Sequence, residues 1–218
     1  MRTTASIWAS VSSSRMVRRS GEGASGGALR ASPGAPVSLG ALLTLVGLAL
    51  ASGPARANEE TPRSQETVYQ DTRVFVEQAF GGVSPEPSVL WLDAERKGRL
   101  KGILGHRYGG LRVRYWRQDE TTAWILEEIG KYYPITAGFV VEQGRIATVV
   151  VLVYRESHGW EIRYPFFTDQ FRGLTLDGET DLSGTIDNIS GATLSVNSMA
   201  RLARVALYLH GEAIDGGN

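Results

Sequence analysis

Residues 135–154 read ITAGFVVEQGRIATVVVLVY and decide the fold class of this chain. Ile135 to Val141 and Ile146 to Tyr154 are apolar and rich in β-branched residues, which is typical of buried strands. Between them, the polar stretch Glu142-Gln143-Gly144-Arg145 has the composition of a hairpin turn. The second run is apolar at nearly every position, which predicts a strand that is covered on both faces and lies centrally in a sheet.

Further strands are predicted before this hairpin, and a helix after it. The candidate strands are Ser88 to Leu92, Gly98 to Tyr108, Leu111 to Trp116 and Thr121 to Ile129, and Val68 to Phe80 has a weak helical pattern. Residues 155–192 are predicted to be mostly loop. From about Ser195 to His210, apolar residues recur on one helical stripe, and Gly211 is the expected end of that helix. We therefore predict an α+β fold: a strand-rich antiparallel sheet with a C-terminal helix.

The first 57 residues have the composition of a secretory signal. Residues 37–51 (VSLGALLTLVGLALA) are uncharged, arginines precede them, and Ala55-Arg56-Ala57 follows. A basic segment, an apolar segment and small residues at a cleavage point are the three parts of such a signal. We expect cleavage after Ala57, and a start at Met16 instead of Met1 would give a signal of more usual length. An uncleaved membrane anchor is the alternative; either interpretation predicts export, which in a bacterium means the periplasm.

The composition excludes several chemistries. The chain has 218 residues, no cysteine and three scattered histidines. Without cysteine there is no disulfide, no cysteine-ligated cluster and no thiol nucleophile, and the histidine spacing gives no support to a transition-metal site. Residues 58–218 carry 17 basic and 22 acidic side chains, which argues against a nucleic-acid binder.

Eight basic residues lie between Arg96 and Arg117, interleaved with aromatic residues. The ordinary interpretation of this segment is a solvated face of the fold. The alternative is a docking face for an acidic redox partner or for membrane lipid.

Asp187 to Ser195 (DNISGATLS) lies directly before the predicted C-terminal helix. A helix N-terminus offers free backbone N–H groups and a dipole that favours phosphate. Gly191 allows close approach of the backbone, and Ser190, Thr193 and Ser195 add hydroxyl groups. An ordinary Ser or Thr helix cap explains the same residues, so the spacing alone leaves both interpretations open.

Ser190-Gly191-Ala192-Thr193, preceded by Asp187, resembles the Asp-x-x-Ser/Thr-Gly-Ala-Thr signature of the FMN-binding domain family. That family includes small subunits of the sodium-pumping NADH:quinone reductase and of the Rnf complex, and domains of periplasmic regulators of nitrous oxide respiration. The resemblance spans about residues 98–210. Its other parts are similar to a Tyr-Gly-Gly turn, a loop after the central strand and a Phe-x-x-x-Phe-x-Gly segment, here Gly105 to Gly110, Tyr154 to Trp160, and Phe167, Phe171 and Gly173.

The resemblance implies a covalent FMN. In such domains the last Thr of the signature, here Thr193, is joined to FMN through a phosphoester. A separate flavin transferase makes this bond, using FAD and a divalent cation and releasing AMP. Ser190, Gly191, Ala192 and Ser195 then belong to the cofactor site, and Asp187 has a role in loop geometry or modification. The implied organisation is a signal at 1–57, a lead-in at 58–97 and an FMN-binding domain at 98–218.

The loop after the central strand departs from the family pattern because Glu156-Ser157-His158-Gly159-Trp160 has no proline. We expect Glu156 and His158 at the cofactor, with His158 hydrogen-bonded to the edge of the ring. We also expect Trp160, Phe166 and Phe167 to stack on it. The alternatives are a solvated loop position for His158 and ordinary core packing for the aromatic residues.

The sequence thus predicts an exported FMN carrier that relays electrons between a membrane or periplasmic donor and another redox protein. Its expected partners are a flavin transferase and these redox proteins, with membrane association through residues 37–51 if the signal is retained, and without nucleic acid or metal. Two alternatives stay open: a non-redox exported binding or assembly module, and a flavin-dependent reductase with its own small-molecule substrate. Non-covalent binding of FMN also stays open.

Overall fold

The computed structural model describes residues 66–216, so the predicted signal at residues 1–57 lies outside the described part. The first half contains β1 (Thr67–Val68), α1 (Thr72–Ala79), β2 (Pro87–Trp91), α2 (Ala94–Leu104), β3 (Arg112–Gln118), β4 (Thr121–Ile129), β5 (Pro134–Glu142) and β6 (Arg145–Tyr154). The second half contains 3₁₀ turns at Trp160–Arg163 and Asp169–Phe171, α3 (Pro165–Thr168), β7 (Leu176–Asp177), β8 (Asp181–Leu182) and α4 (Thr193–Asp215).

Six of these strands form one antiparallel sheet in the order β1-β6-β5-β4-β3-β2. The hairpin between β5 and β6 closes where Glu142 pairs with Arg145, and Gln143 (φ 50°) and Gly144 (φ 74°) take the left-handed conformations of a two-residue turn. The α+β prediction, with an antiparallel sheet and a C-terminal helix, is confirmed.

The central placement of the strand at Ile146–Tyr154 is wrong. β4 and β5 occupy the middle of the sheet, and only the two-residue β1 lies beyond β6. The strand is apolar throughout because both of its faces are covered: Val149 and Val151 pack in the cluster beneath α4, and Leu152 packs in a second cluster with Phe75 of α1. A continuous apolar run therefore indicates that both faces of a strand are buried, and it does not indicate where the strand lies in the sheet.

The strand predicted for Gly98–Tyr108 is also wrong, because this segment lies mostly in helix α2. The Asp93 side chain caps its first turn by accepting from the Arg96 N–H at 2.8 Å, and Gly105 ends it with φ 80°. Leu100, Ile103 and Leu104 are buried at helical spacing. Gly98 and Gly102 weaken the helical pattern of this segment in the sequence. The cap at Asp93, the end at Gly105 and the buried apolar residues nevertheless make it a helix.

Helix α4 is longer than predicted, because it passes through Gly211 and ends at Asp215. Ala213, beyond the expected end, is 3% exposed and packs in the core. Its carbonyl accepts from the Arg117 guanidinium at 2.8 Å, which fixes the last turns against β3. Burial beyond Gly211 offsets the cost of a glycine inside the helix.

Two helices cover the two faces of the sheet. Met199, Leu202 and Leu209 of α4 are buried in the main core, and Phe75 and Val76 of α1 are buried on the opposite side. Within residues 66–216, no helix combines the length and apolar character needed to cross a bilayer. The start of α4 lies beside the end of β6, and these two chain ends position the site described next.

Candidate functional site

Thr193 is the first residue of α4, and its side chain is exposed to solvent. Ala192 occupies the cap position and makes no side-chain cap. By contrast, Asp71 and Asp93 cap α1 and α2 with their carboxylates. The interpretation of the signature as an ordinary Ser or Thr helix cap is therefore wrong. The amide groups of the first turn of α4 remain available to an anion.

The turn before α4 leaves the hydroxyl of Thr193 accessible. Gly191 has φ 83°, a conformation that favours glycine, and a Cβ at this position would meet nothing within 4 Å. The Ala192 N–H closes the turn by donating to the Ile189 carbonyl at 2.9 Å. Ser190, at the tip of this turn, is exposed. A second protein can thus reach this loop from the solvent.

Two side chains outside the predicted site hold this loop in place. Asn188 Nδ2 donates to Thr193 Oγ1 at 2.9 Å, so the threonine oxygen accepts and its own proton is not used in this bond. The Asp187 N–H donates to Gln170 Oε1 at 2.7 Å, which ties the loop to the 3₁₀ turn at Asp169–Phe171. The Asp187 side chain itself is exposed.

Ser195 lies beneath the loop that follows β6. Its side chain is 4% exposed, and its Oγ lies 3.1 Å from the Tyr154 hydroxyl, which donates to the His158 carbonyl. Burial raises the pKa of Tyr154 to about 12, so this donor stays protonated. Gly159 packs so closely here that a Cβ would lie 2.9 Å from the Tyr154 hydroxyl and 3.1 Å from Ala192. The structure therefore brings the His158–Gly159 backbone against the signature.

Glu156 stabilises a neighbouring turn. One of its carboxylate oxygens accepts the backbone N–H groups of Lys131, Tyr132 and Tyr133 at 2.5, 2.6 and 2.9 Å. This oxygen therefore holds the turn between β4 and β5 in place. In contrast, the His158 ring is exposed, and its Nδ1 lies 2.8 Å from the Ser157 hydroxyl.

The aromatic residues predicted to stack on a ring divide into two groups. Phe167 is fully buried and packs edge-to-face on Phe171 with ring centres 5.4 Å apart, so its predicted stacking role is wrong and core packing explains it. Trp160 and Phe166 are 40% and 60% exposed. Gln170 joins Phe166 to the signature, because its amide donates to the Phe166 carbonyl at 3.1 Å and its oxygen accepts from the loop.

The sequence of this site was compared with models of known protein families. Residues 130–208 match the family model of the FMN-binding domain. This segment of the chain is an FMN-binding domain. The match runs from the turn before β5 into α4 and includes every predicted site residue, and FMN is the cofactor that it indicates. No curated protein matches the chain significantly.

The residues of the FMN-binding domain fit a phosphate-bearing cofactor. The uncapped amides of the first turn of α4 and the exposed hydroxyls of Ser190 and Thr193 form a set of donors suited to phosphate oxygens. Trp160 and Phe166 supply exposed aromatic surface on segments attached to the same loop. Ser195 contacts Tyr154 beneath the signature, and Glu156 holds the turn between β4 and β5, so the described contacts of both residues are internal to the protein.

Sequence reasoning missed three residues that shape this site: Tyr154, Gln170 and Asn188. Asn188 occupies a variable position of the signature, so the motif itself gave no signal for it. Gln170 lies in the segment that the sequence predicts to be loop, 17 residues from the Asp187 N–H that donates to it. Tyr154 ends an apolar run, where a hydroxyl group requires a buried partner, and this requirement was the one available clue.

Proposed function

We propose that Thr193 carries FMN through a phosphoester at Oγ1 and that the protein is an exported electron carrier. The observation that carries the proposal is the exposed Thr193 hydroxyl at the uncapped N-terminus of a 23-residue helix. A transferase needs an accessible hydroxyl, and the phosphate that it leaves behind needs nearby N–H donors. This position meets both requirements.

The residues around Thr193 have distinct tasks in this proposal. Asn188 orients Oγ1, and the attachment replaces the hydroxyl proton of Thr193 with the phosphoryl group while AMP leaves from FAD. The N–H groups of the first turn then hold the phosphate oxygens. The positive end of the helix dipole offsets their negative charge, a contribution of about 0.3–1 kcal/mol at an exposed site.

Electron transfer is proposed from the surface position of the site. FMN supplies reversible one- and two-electron transfer when it is bound. The exposed rings of Trp160 and Phe166 suit a cofactor ring that is held at the surface, where a redox partner can approach it. The apolar run at residues 37–51 supports export, so the donor and the acceptor are proposed to be membrane or periplasmic proteins.

Fluorescence in a denaturing gel tests whether the flavin is covalent. The chain is co-expressed with a flavin transferase, denatured in acid and examined under ultraviolet light. Wild type and Thr193→Ser, which keeps a hydroxyl, should yield a fluorescent band, with a weaker band for serine. Thr193→Ala should yield none, whereas Ser190→Ala should stay fluorescent and serves as the matched control. A band of normal intensity in Thr193→Ala would refute the tether.

Turnover separates the carrier from a reductase. A carrier, once reduced, should pass electrons to a partner protein or a one-electron dye and show no sustained turnover with small organic acceptors. Steady-state turnover of a small acceptor without any partner protein would instead favour the reductase interpretation. N-terminal sequencing of protein recovered from the periplasm tests export, and the predicted first residue is Asn58.

A further inference from the structure

The eight basic side chains between Arg96 and Arg117 have different environments. Arg96 and Arg99 form ion pairs with Glu212 and Glu179. Arg117 donates to backbone carbonyls, and Arg112 lies over the indole ring of Trp91 at 5.6 Å. Four of the eight basic side chains therefore have contacts within the fold that account for their positions.

Three of the remaining cations line a single cavity of about 630 Å³. Lys97 and Lys101 lie one helical turn apart on α2, and Arg107 lies on the loop that joins α2 to β3. Within residues 66–216, no carboxylate lies at ion-pair distance from any of these three side chains. The cavity lining contains no acidic residue either. Three positive charges thus line one concave surface that has no acidic lining residue, and the carboxylates of Glu127 and Glu128 line an adjoining cavity that Arg107 also borders.

The same cavity has an apolar wall. Tyr108 is half-buried, and its ring lies so close to Gly110 that a Cβ there would be 2.6 Å from a ring carbon. Leu111 is 67% exposed and also lines the cavity. A merely solvated basic face does not require an aromatic ring and an exposed leucine within the same concavity.

We propose that this cavity binds a phosphate ester that carries an apolar group. A phosphate monoester has a charge of roughly −1.5 to −2 at neutral pH, which matches three convergent cations better than a single carboxylate does. The guanidinium of Arg107 can hold two oxygens at once, and the lysines act as point charges. Tyr108 and Leu111 then contact the apolar group. Soluble phosphate esters and phospholipid headgroups share this chemistry.

The cavity and the proposed FMN tether have no residue in common. Its lining residues lie between Lys97 and Leu111, outside the segment 130–208 that matches the FMN-binding domain. Binding at the cavity and attachment at Thr193 can therefore be tested independently on the same protein.

Calorimetric titration of the full-length chain with phenyl phosphate tests the proposal. Lys101→Gln and Arg107→Gln should each weaken binding about tenfold or more, because each removes a charge-assisted contact. Arg114→Gln removes the same charge from an exposed arginine outside the lining and should change binding less than about twofold. Thr193→Ala should bind phenyl phosphate like wild type, and inorganic phosphate should bind more weakly than the ester.

Co-sedimentation with vesicles distinguishes the two sources of ligand. Binding to phosphatidylglycerol vesicles that phenyl phosphate displaces and Arg107→Gln weakens would assign the site to a lipid headgroup. Phenyl phosphate binding without vesicle binding would assign it to a soluble ester. The proposal is overturned if phenyl phosphate shows no saturable binding at millimolar concentration, if Arg114→Gln weakens binding as much as the lining variants, or if Thr193→Ala abolishes it. Equal binding of inorganic phosphate would overturn the apolar contact.

Discussion

Among single residues, the hydrogen bond from the Asn188 amide to Thr193 Oγ1 bears most directly on the proposed attachment of FMN. The hydrogen bond of 2.9 Å leaves the hydroxyl exposed while limiting its rotation. Orienting a nucleophile lowers the entropic cost of its reaction. Because both side chains are exposed, loss of this hydrogen bond should change the rate of modification and not the stability of the fold.

Asn188→Ala should slow attachment of flavin to Thr193 several-fold without a measurable change in stability. Attachment is followed as fluorescence gained per minute with purified transferase and FAD. Asn197→Ala, an exposed position further along α4, is the matched control and should react at the wild-type rate. An Asn188→Ala protein that is modified as fast as wild type would show that the hydrogen bond has no part in the reaction.

Glu156 gives a second prediction at this scale, because one carboxylate oxygen serves three backbone N–H groups. Glu156→Ala should lower the free energy of unfolding by about 2–3 kcal/mol, since it removes charge-assisted hydrogen bonds from the turn at residues 130–133. Denaturant unfolding measures the change. Glu142→Ala, at an exposed glutamate, should change stability by no more than about 0.5 kcal/mol. A similar small effect for Glu156→Ala would contradict its structural role.

At the scale of elements, α1 packs closely on the sheet because Gly138 of β5 has no side chain. A Cβ at Gly138 of β5 would lie 2.6 Å from the Phe75 ring, which is fully buried. Gly138→Ala should therefore destabilise the protein by about 1–3 kcal/mol through overpacking. Gly102→Ala in α2 should have the opposite sign and stabilise by about 0.5–1 kcal/mol, because nothing lies within 4 Å of the added methyl group.

A double-mutant cycle identifies the cause of the Gly138→Ala effect. If the clash with Phe75 is responsible, Phe75→Leu should make Gly138→Ala less damaging than it is in the wild type, so the two changes should not add. Unfolding in urea measures all four proteins. Strict additivity of the two changes would place the cost of Gly138→Ala elsewhere.

The elements also show which features a sequence can predict. Five of the six strands of the sheet were predicted correctly because β-branched residues and turn residues mark them directly, as in the hairpin at Glu142–Arg145. Helix α2 was missed because Gly98 and Gly102 weaken its pattern, while its cap at Asp93 acts through one hydrogen bond that composition does not reveal. The extension of α4 past Gly211 depends on burial of Ala213, which is a property of the assembled core.

At the scale of the whole molecule, His210 links α4 to two parts of the sheet. Its Nε2 accepts the Gly144 N–H at 3.1 Å, so the ring proton resides on Nδ1, 2.8 Å from the Thr122 hydroxyl oxygen. Burial, helped by the charge of Arg117, lowers the pKa of His210 below its ordinary value of 6.5. The neutral ring is therefore the form that the folded protein holds.

This histidine should make the protein less stable in acid. As pH falls below 6.5, His210 becomes protonated in the unfolded chain but stays neutral in the folded protein. The free energy of unfolding therefore decreases until the pH reaches the lowered pKa of folded His210. Between pH 7.5 and pH 5.5, the free energy of unfolding should fall more in wild type than in His210→Gln.

His106 should have the opposite effect, because a hydrogen bond to Glu128 raises its pKa. His106→Gln should therefore make the free energy of unfolding fall more steeply in acid than it does in wild type. Identical pH slopes in the three proteins would contradict both assignments.

The candidate site was predictable only in part, for a physical reason. A linear motif located the start of α4, the exposed Thr193 and the glycine turn, because those residues are contiguous in sequence. The surrounding support comes from distant positions: Tyr154 lies 41 residues from Ser195, and Gln170 accepts from a backbone amide 17 residues away. Such contacts depend on the folded arrangement, and so they became visible only in the structure.

The central claim is that FMN is bonded to Thr193, and the mass of the intact protein tests it most directly. Protein co-expressed for export with an active flavin transferase should gain the mass of FMN less one water, and peptide mapping should place that gain on the signature peptide. Thr193→Ala should show no gain, while Ser190→Ala should match wild type. An unmodified wild-type protein beside an active transferase, or the same gain in Thr193→Ala, would contradict the account.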